Sequence, residues 1–295
     1  MKLPVLEMFV SIQGEGIYTG EPSLFVRVGG CNLRCVFGNT RCDTPYSSFE
    51  CEEATWKDVD SAVEAANKLL EQNPNVRHLV ITGGEPMLYQ DAIKDFISKL
   101  QKSLTFTIET NGSLPCKLDW WEINQKYDEF GDVDDCDQVW IDMFSISPKL
   151  STSVDKELKF LTLEQMDRHD KARINIKNLA SYIQSINTIK NFLKEDLDFW
   201  FDMDANNVPI PTYQLKFVYS GPASVTEIHE IIEKLAKELK VSYQEISNHV
   251  LLMPEGTSNE HLDNISKECA EVCIKNGWRF CDRLHIRIWG DKRGV

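Results

Sequence analysis

The chain contains the segment Cys31-Asn-Leu-Arg-Cys35-Val-Phe-Gly-Asn-Thr-Arg-Cys42-Asp43-Thr44, in which three cysteines lie within twelve residues. Closely spaced cysteine thiolates are the usual ligands of iron–sulfur clusters. A [4Fe–4S] cluster held by three cysteines leaves one iron free to bind a further group, such as a substrate. Two other interpretations stay open from these residues alone: a zinc site completed by a ligand elsewhere in the fold, and cysteines with a purely structural role.

The length, net charge and apolar runs of the chain exclude several classes of protein. A length of 295 residues suits one large α/β domain or two smaller ones. The formal net charge of −14 opposes non-specific binding to nucleic acid. No apolar run reaches the ~18 residues of a membrane span, and the first residues lack a signal-peptide pattern. We therefore expect a cytoplasmic protein without nucleic-acid or membrane partners, whose nine cysteines are thiols or ligands rather than disulfides.

Apolar strands alternate with helical patterns along the rest of the chain. Strands are predicted over 23–29, 76–81, 104–108, 139–146, 213–219 and 249–253, and helices over 55–72, 90–102, 174–197, 222–239 and 258–277. This alternation predicts βαβ units and an α/β fold with a largely parallel sheet. Ligands of such sheets bind beyond the carboxyl ends of the strands. The cysteine segment, Gly83–Pro86 and Glu109–Gly112 each follow a predicted strand, so we expect them to converge on one site.

Two further element predictions rest on local patterns. Thr55 precedes the apolar periodicity of the first helix and is the expected N-cap. The alternation in Leu284-His-Ile-Arg-Ile-Trp289 predicts a final strand.

The cysteine segment and the Gly-Gly-Glu-Pro turn belong to a longer series of motifs. In chain order these are Ser11-Ile-Gln-Gly-Glu-Gly16, Phe25-Val-Arg-Val-Gly-Gly-Cys31-Asn-Leu-Arg-Cys35, Cys42-Asp-Thr44, Thr82-Gly-Gly-Glu-Pro86, Glu109-Thr-Asn-Gly112, Ser147-Pro-Lys149, Gln214-Leu-Lys-Phe-Val218, Leu252-Met-Pro-Glu-Gly256 and Arg283-Leu-His-Ile286. Cysteines followed by Gly-Gly-Glu-Pro resemble the radical S-adenosylmethionine superfamily, and the complete series resembles the 7-carboxy-7-deazaguanine synthase family within it. The resemblance implies a partial, open β/α barrel with a mostly parallel sheet. It also implies a single domain over residues 1–295, with insertions within 113–139 and 150–211.

The resemblance further implies a reaction. A reduced [4Fe–4S] cluster and S-adenosylmethionine start it, and 6-carboxy-5,6,7,8-tetrahydropterin becomes 7-carboxy-7-deazaguanine with loss of ammonia, a step of queuosine and 7-deazapurine biosynthesis. The implied cofactors are the [4Fe–4S] cluster, S-adenosylmethionine and Mg²⁺. The implied partners are the pterin substrate, an electron-donor protein such as a flavodoxin or ferredoxin, and a second copy of the chain in a homodimer.

Residue roles follow from the resemblance position by position. The implied cluster ligands are Cys31, Cys35 and Cys42, and the implied magnesium ligand is Thr44. The residues implied to bind S-adenosylmethionine are Arg41, Cys42, Asp43, Gly84, Ser147, Pro148 and Lys149. The residues implied to bind the substrate are Ile12, Gln13, Gly14, Arg27, Thr82 and the C-terminal Val295, with Glu15 beside them. Arg27 is the expected partner of the substrate carboxylate, because a guanidinium fits a carboxylate bidentately.

The chain departs from the family pattern at the third cysteine. The usual spacing is Cys-x3-Cys-x2-Cys, whereas six residues separate Cys35 from Cys42, and Gly38 stands where the third cysteine is expected. We assign Cys42 as the third ligand because Cys42-Asp-Thr44 keeps its local context. The extra residues must then loop out without moving Cys42.

Two other functions remain open at this stage. A glycyl-radical activating enzyme would share the cluster but would need a groove for a protein partner, and a dedicated pterin-binding loop argues against it. A non-enzymatic metal-binding interaction module would need neither Gly-Gly-Glu-Pro nor Ser-Pro-Lys. Cys269, Cys273 and Cys281 are interpreted as core residues rather than a second metal site, because buried free cysteine packs as a small hydrophobe.

Overall fold

The elements below are those of a computed structural model that describes residues 1–49, 51, 55–101, 104–117, 122–127, 133–139, 141–200 and 210–295. The strands are β1 (Lys2–Ile12), β2 (Pro22–Val28), β3 (Val36–Phe37), β4 (Thr40–Arg41), β5 (Thr55–Asp58), β6 (His78–Gly83), β7 (Thr105–Thr110), β8 (Glu122–Tyr127), β9 (Val133–Val139), β10 (Met143–Ile146), β11 (Thr212–Tyr219), β12 (Val250–Pro254) and β13 (Arg279–Phe280). The helices are α1 (Pro45–Ser48), α2 (Val59–Gln72), α3 (Gln90–Ser98), α4 (Leu163–Ala172), α5 (Ile176–Trp200), α6 (Ala223–Leu239), α7 (Tyr243–Ser247), α8 (Asn259–Asn276) and α9 (Leu284–Trp289). Short 3₁₀ helices cover Pro86–Tyr89 and Ser151–Ser153.

The main sheet has the strand order β13-β12-β11-β10-β7-β6-β2-β1-β5. Every pairing from β13 to β2 is parallel, whereas β1 pairs antiparallel with both β2 and β5. In the described part of the chain, β13 and β5 form the two edges and do not pair with each other. The predicted α/β fold, with an open and mostly parallel sheet, is confirmed.

The middle of the sheet is covered on both faces. In β6 the consecutive residues Leu79, Val80 and Ile81 are all fully buried, which is typical of a parallel strand with helices on both sides. Helix α2 packs against β1. Its buried residues recur at helical spacing and are Val59, Ala62, Val63, Ala66 and Leu70. Helix packing on the sheet therefore buries these strands in the core.

The predicted helix over 55–72 begins at Val59 and not at Thr55. Thr55 instead pairs with Val5 in the edge strand β5. The N-cap is Asp58, whose carboxylate accepts a hydrogen bond from the Ser61 N–H at 3.0 Å. An aspartate satisfies this unpaired helix donor well, and the residues before it gain backbone hydrogen bonds from β1. The prediction of Thr55 as N-cap was therefore wrong.

The predicted strand over Leu284–Trp289 is the helix α9. Its apolar alternation is a local β pattern, but the helical conformation lets Arg287 form ion pairs with Asp282 and with Asp263 of α8. Ile286 is buried in this helix, whereas Ile288 is half exposed. These tertiary contacts outweigh a weak local preference for strand.

The two segments expected to be insertions contain elements of their own. Residues 113–139 contain the antiparallel pair β8–β9, which is separate from the main sheet. Residues 150–211 contain α4 and α5, and α5 packs against α6 and β11. No described helix combines the length and the apolar character that a membrane span requires.

Candidate active site

A cavity of about 940 Å³ opens at the carboxyl ends of the parallel strands. It is bordered by residues at or just beyond the ends of β2, β6, β7, β10 and β12. The predicted site residues that line it are Ile12, Gln13, Gly14, Arg27, Cys31, Cys35, Arg41, Cys42, Asp43, Thr44, Thr82, Gly84, Ser147, Lys149 and Val295. Pro148 is buried but is not among the lining residues. The structure thus brings together the motifs that the strand pattern predicted would converge.

The extra residues between Cys35 and Cys42 form a small β-hairpin. β3 and β4 pair antiparallel, with Val36 opposite Arg41. The Cys42 N–H donates to the Cys35 C=O at 3.0 Å, which continues the ladder to the two cysteines. Gly38 lies in the exposed turn with φ 55°, a conformation that favours glycine. The long interval therefore returns Cys42 to Cys35 and leaves Gly38 at the hairpin tip.

The three cysteine thiols border the same cavity. Burial raises the pKa of Cys31 to about 12 and the pKa of Cys35 well above its usual range, and it also raises the pKa of Cys42. Metal binding would replace the thiol protons, because the thiolate is the ligand. Among the described residues, no three His, Cys, Asp or Glu side chains already surround a single ion-sized point. Three sulfur donors beside a large open cavity fit a [4Fe–4S] cluster with one accessible iron.

The Gly83–Gly84 turn packs directly on the backbone between β2 and the cysteine segment. The Gly84 N–H donates to the Val28 C=O at 2.9 Å, and the Glu85 N–H donates to the Gly30 C=O at 2.8 Å. A Cβ atom on Gly84 would lie 2.1 Å from the Gly30 oxygen. Only glycine fits this close approach of two backbone segments, and Gly84 also borders the cavity.

Glu85 anchors the neighbouring motif. Its buried carboxylate accepts hydrogen bonds from Thr110 Oγ1 and from the Asn111 N–H, each at 2.7 Å. Burial raises the pKa of Glu85, and these hydrogen bonds partly oppose the rise. Asn111 Nδ2 donates in turn to Asn32 Oδ1 at 3.1 Å. The Glu109–Gly112 motif is thereby joined to both the glycine turn and the cysteine segment.

The Ser147-Pro-Lys149 segment follows β10 and reaches the same cavity. The Ser147 N–H donates to the Thr110 C=O at 2.7 Å, and Lys149 Nζ donates to Ser147 Oγ at 2.8 Å. After burial, the charge of Lys149 is the largest influence on the pKa of Cys35, which it lowers. Lys149 therefore places a positive charge near the thiols.

Glu109 connects two of the predicted substrate-binding residues. Gln13 Nε2 donates to Glu109 Oε1 at 3.2 Å, and Thr82 Oγ1 donates to Glu109 Oε2 at 2.7 Å. No role was predicted for Glu109, although it begins one of the sequence motifs. Gly14 has a steric requirement of its own, since a Cβ atom there would lie 2.1 Å from His285 Nδ1. These contacts fix the loop that is predicted to bind the pterin.

A chain of ion pairs connects this N-terminal loop with the cysteine segment. Glu15 Oε2 lies 2.5 Å from Lys216 Nζ, and Glu15 Oε1 lies 3.0 Å from Arg283 Nε. Arg283 Nη2 lies 2.6 Å from Asp43 Oδ2, and its Nη1 donates to the Gly256 C=O at 2.7 Å. The sequence alone predicted no role for Lys216 or Arg283, although each stands in one of the motifs quoted above.

The charges in this network stabilise one another. Burial by itself would raise the pKa of Glu15, but Lys216 and Arg283 outweigh it and hold the pKa below its usual range. Burial would likewise raise the pKa of Asp43, and the neighbouring Arg283 guanidinium lowers it. The Asp43 side chain is 41% exposed, toward the cavity, whereas the Lys216 and Arg283 side chains are 7% and 9% exposed.

Arg27 lies opposite Glu7 on the antiparallel pair β1–β2. Its Nε donates to Glu7 Oε1 at 2.6 Å, so this ion pair uses Nε rather than the terminal nitrogens. Arg293 Nε lies 2.9 Å from Glu7 Oε2, and its guanidinium lies 4.1 Å from the centre of the Tyr46 ring. Glu7 therefore links Arg27 to the C-terminal tail, and Val295 lines the same cavity.

The chain resembles known proteins over most of its length. Residues 25–197 match the Radical SAM superfamily. The 7-carboxy-7-deazaguanine synthase of Halobacterium salinarum is 31% identical over 294 residues, which covers 98% of this chain and 91% of that protein. The protein of the same name from Rhodopirellula baltica is 31% identical, covering 99% and 89%. The crystal structure of QueE from Escherichia coli has the same fold, with a TM-score of 0.51 at 18% identity over 97% of this chain and 95% of that one.

Replacing Glu15 by Gln should make the stability of the metal-free protein less sensitive to acid. The folded-state pKa of Glu15 lies below its usual value of 4.5. Its carboxylate therefore stabilises the fold above pH 4.5, and this contribution is lost as the pH falls below 4.5. The melting temperature of Glu15→Gln should be lower than that of the wild type at about pH 6, and the difference should shrink toward about pH 3.

Glu271→Gln is the matched control for this experiment, because it removes one exposed carboxylate from the middle of α8, away from the helix N-terminus. Its melting temperature should follow that of the wild type across the same range. A difference between Glu15→Gln and wild type that stays constant with pH would contradict the electrostatic account of Glu15.

Proposed function

The chain belongs to the 7-carboxy-7-deazaguanine synthase family of the radical S-adenosylmethionine superfamily, and we propose that it converts 6-carboxy-5,6,7,8-tetrahydropterin to 7-carboxy-7-deazaguanine with loss of ammonia. It is a radical S-adenosylmethionine lyase of queuosine and 7-deazapurine biosynthesis. The observation that carries the proposed reaction is one cavity that joins the cysteine hairpin, the glycine turn, the Ser-Pro-Lys segment and the N-terminal loop. The reaction needs a radical source and a pterin to lie side by side, and this cavity borders residues suited to both.

Cys31, Cys35 and Cys42 would hold the [4Fe–4S] cluster. When bound, the cluster and S-adenosylmethionine supply the radical that starts the reaction, and the protein supplies binding and orientation. The thiols border the cavity without filling it, which leaves room for S-adenosylmethionine beside them.

The chain's own groups suit the polar parts of S-adenosylmethionine. The Gly84 C=O can accept a hydrogen bond from an amino group, since Gly84 borders the cavity, and Lys149 offers a positive charge to a carboxylate. Asp43 presents a carboxylate whose position is fixed by Arg283. Arg41, Cys42, Ser147 and Pro148 complete the proposed binding set.

Arg27 would bind the substrate carboxylate through the terminal nitrogens of its guanidinium, since Glu7 engages Nε. Gln13 and Thr82 are oriented by Glu109, so their amide and hydroxyl would meet the pterin edge in fixed positions. Ile12 and Gly14 would border the same edge.

Thr44 and Val295 would complete the substrate site. Thr44 would place a hydroxyl on a magnesium ion that keeps several of its waters, as magnesium prefers. Val295 would border the substrate, since it already lines the cavity.

The proposal also covers the domain organisation, the cellular location and the protein partners. Residues 1–295 would act as one domain in the cytoplasm, with the segments within 113–139 and 150–211 as insertions. A flavodoxin or ferredoxin would reduce the cluster, and two copies of the chain would form a homodimer.

The direct test is to incubate the anaerobically reconstituted, reduced protein with S-adenosylmethionine and 6-carboxy-5,6,7,8-tetrahydropterin. We expect 7-carboxy-7-deazaguanine and 5′-deoxyadenosine. Formation of 5′-deoxyadenosine without the deazaguanine would contradict the proposal and favour a glycyl-radical activating enzyme. Formation of neither would contradict it and favour a metal-binding interaction module.

The replacement Cys42→Ala should lower the iron content of the reconstituted protein. The wild type should bind about four irons per chain, as a cubane requires, and loss of one of its three ligands should leave markedly fewer. The control Cys116→Ala removes a cysteine that does not line the cavity and should keep the full content. Equal iron contents in Cys42→Ala and the wild type would contradict the assignment of Cys42 as the third cluster ligand.

The replacement Arg27→Ala should raise the KM for the pterin by about 10- to 100-fold, because a hydrogen bond to a charged group is worth about 1.5–3 kcal/mol. Arg27→Lys keeps the positive charge but loses the bidentate geometry of the guanidinium. Its KM for the pterin should therefore lie between those of Arg27→Ala and the wild type. The KM for S-adenosylmethionine should change little in either variant. A normal pterin KM in Arg27→Ala would remove Arg27 from the substrate site.

A further inference from the structure

Part of the second expected insertion contacts the cysteine hairpin. We call residues Asp155–His169 the support segment. At the hairpin tip, Lys159 Nζ donates to Asn39 Oδ1 at 2.6 Å. On the second hairpin strand, the Arg41 guanidinium lies 5.7 Å from the centre of the Phe160 ring, within the range of a cation–π contact. The support segment thus contacts the hairpin both at its tip and along its side.

The support segment presents these contacts from a fixed loop. Asp155 is buried, with 3% of its surface exposed. Its carboxylate accepts hydrogen bonds from the N–H groups of Lys159 at 3.0 Å, Phe160 at 2.7 Å and Leu161 at 2.9 Å. Three backbone donors on one buried carboxylate hold this loop in one conformation. Lys159 and Phe160 are therefore pre-positioned rather than free to follow the hairpin.

His169 supports the cysteine segment from a second side. The residue is 1% exposed, and its Nδ1 accepts a hydrogen bond from the Arg34 N–H at 3.2 Å. Because Nδ1 accepts, Nε2 carries the proton and donates to Ser153 Oγ at 3.1 Å. The Ser153 hydroxyl donates to the Leu150 C=O at 2.7 Å. The backbone immediately before Cys35 is thereby fixed by a neutral imidazole.

The hairpin needs such a partner. β3 and β4 have two residues each, and residues 38–40 are exposed. Isolated two-stranded hairpins are marginally stable at best in water. Cys42 follows β4 directly, so fraying of the hairpin would displace its thiol.

We propose that the support segment positions Cys35 and Cys42, with Phe160 and His169 as positioning residues. The longer cysteine interval and the segment expected to be an insertion within 150–211 are then complementary. The hairpin absorbs the extra length, and the support segment holds the hairpin. The inference rests on the proposed function in one respect, that these thiols hold the cluster.

The first test measures amide hydrogen exchange of residues 36–42 in the metal-free protein. Phe160→Ala should speed this exchange by about fivefold, because an exposed cation–π contact is worth about 1 kcal/mol. Phe160→Leu keeps apolar bulk without the aromatic face and should give a smaller increase. The control is Phe280→Ala on β13, since Phe280 is 39% exposed and Phe160 is 36% exposed. It should leave exchange in the hairpin unchanged.

The second test measures iron retained by the reconstituted protein during an anaerobic chelator challenge. His169→Leu removes the acceptor for the Arg34 N–H and should release iron several times faster than the wild type. His169→Asn offers a side-chain oxygen at a similar position and should restore much of the retention. Phe160→Ala should also release iron faster, and Phe280→Ala should not.

Unchanged exchange in Phe160→Ala together with unchanged iron release in His169→Leu would overturn the inference. If Phe160→Ala does not fold, Phe160→Leu and Lys159→Gln decide the exchange result, because the latter changes only exposed contacts, with Asn39 and with Glu157. If the wild type binds no iron, the proposed function fails, whereas exchange in the metal-free hairpin still decides whether the segment supports it.

Discussion

The site depends on one backbone hydrogen bond, which runs from the Cys42 N–H to the Cys35 C=O at 3.0 Å. This bond closes the hairpin. The extra residues between the two cysteines therefore loop out, and Cys42 stays beside Cys35. A ligand set works only if its sulfur atoms meet the geometry of the bound group. So short a hairpin cannot enforce that geometry alone, and neighbouring residues hold it from outside. Arg41, for example, lies close to the rings of both Phe49 and Phe160.

A small number of buried polar contacts extend this constraint to the rest of the cavity. Glu85 joins the glycine turn to Asn111, and Asn111 reaches the cysteine segment through Asn32. Arg283 joins Glu15, beside the predicted pterin loop, to Asp43, beside the third cysteine. The loops proposed to bind substrate and cofactor are therefore joined by hydrogen bonds and ion pairs.

The sequence was sufficient for features that depend on strand order and motif position. The alternation of strands and helices predicted the parallel sheet, and the motifs at the strand ends predicted which loops would meet. Features that depend on long-range contacts were missed. Arg283 pairs with Glu15 and Asp43, which are separated from it by 268 and 240 residues in sequence. No local pattern encodes these pairings. The helix at Leu284–Trp289 and the strand at Thr55–Asp58 were also missed, because tertiary pairing overrides weak local preference.

The central claim is that the enlarged hairpin delivers Cys42 as the third cluster ligand beside the binding site of S-adenosylmethionine. The most direct measurement is a crystal structure of the anaerobically reconstituted protein with S-adenosylmethionine bound. The account predicts one iron on the Sγ atom of each of Cys31, Cys35 and Cys42, with the remaining iron facing the ligand near Gly84 and Lys149. A cluster held by another cysteine, such as Cys51, or a Cys42 thiol that contacts no metal, would contradict it.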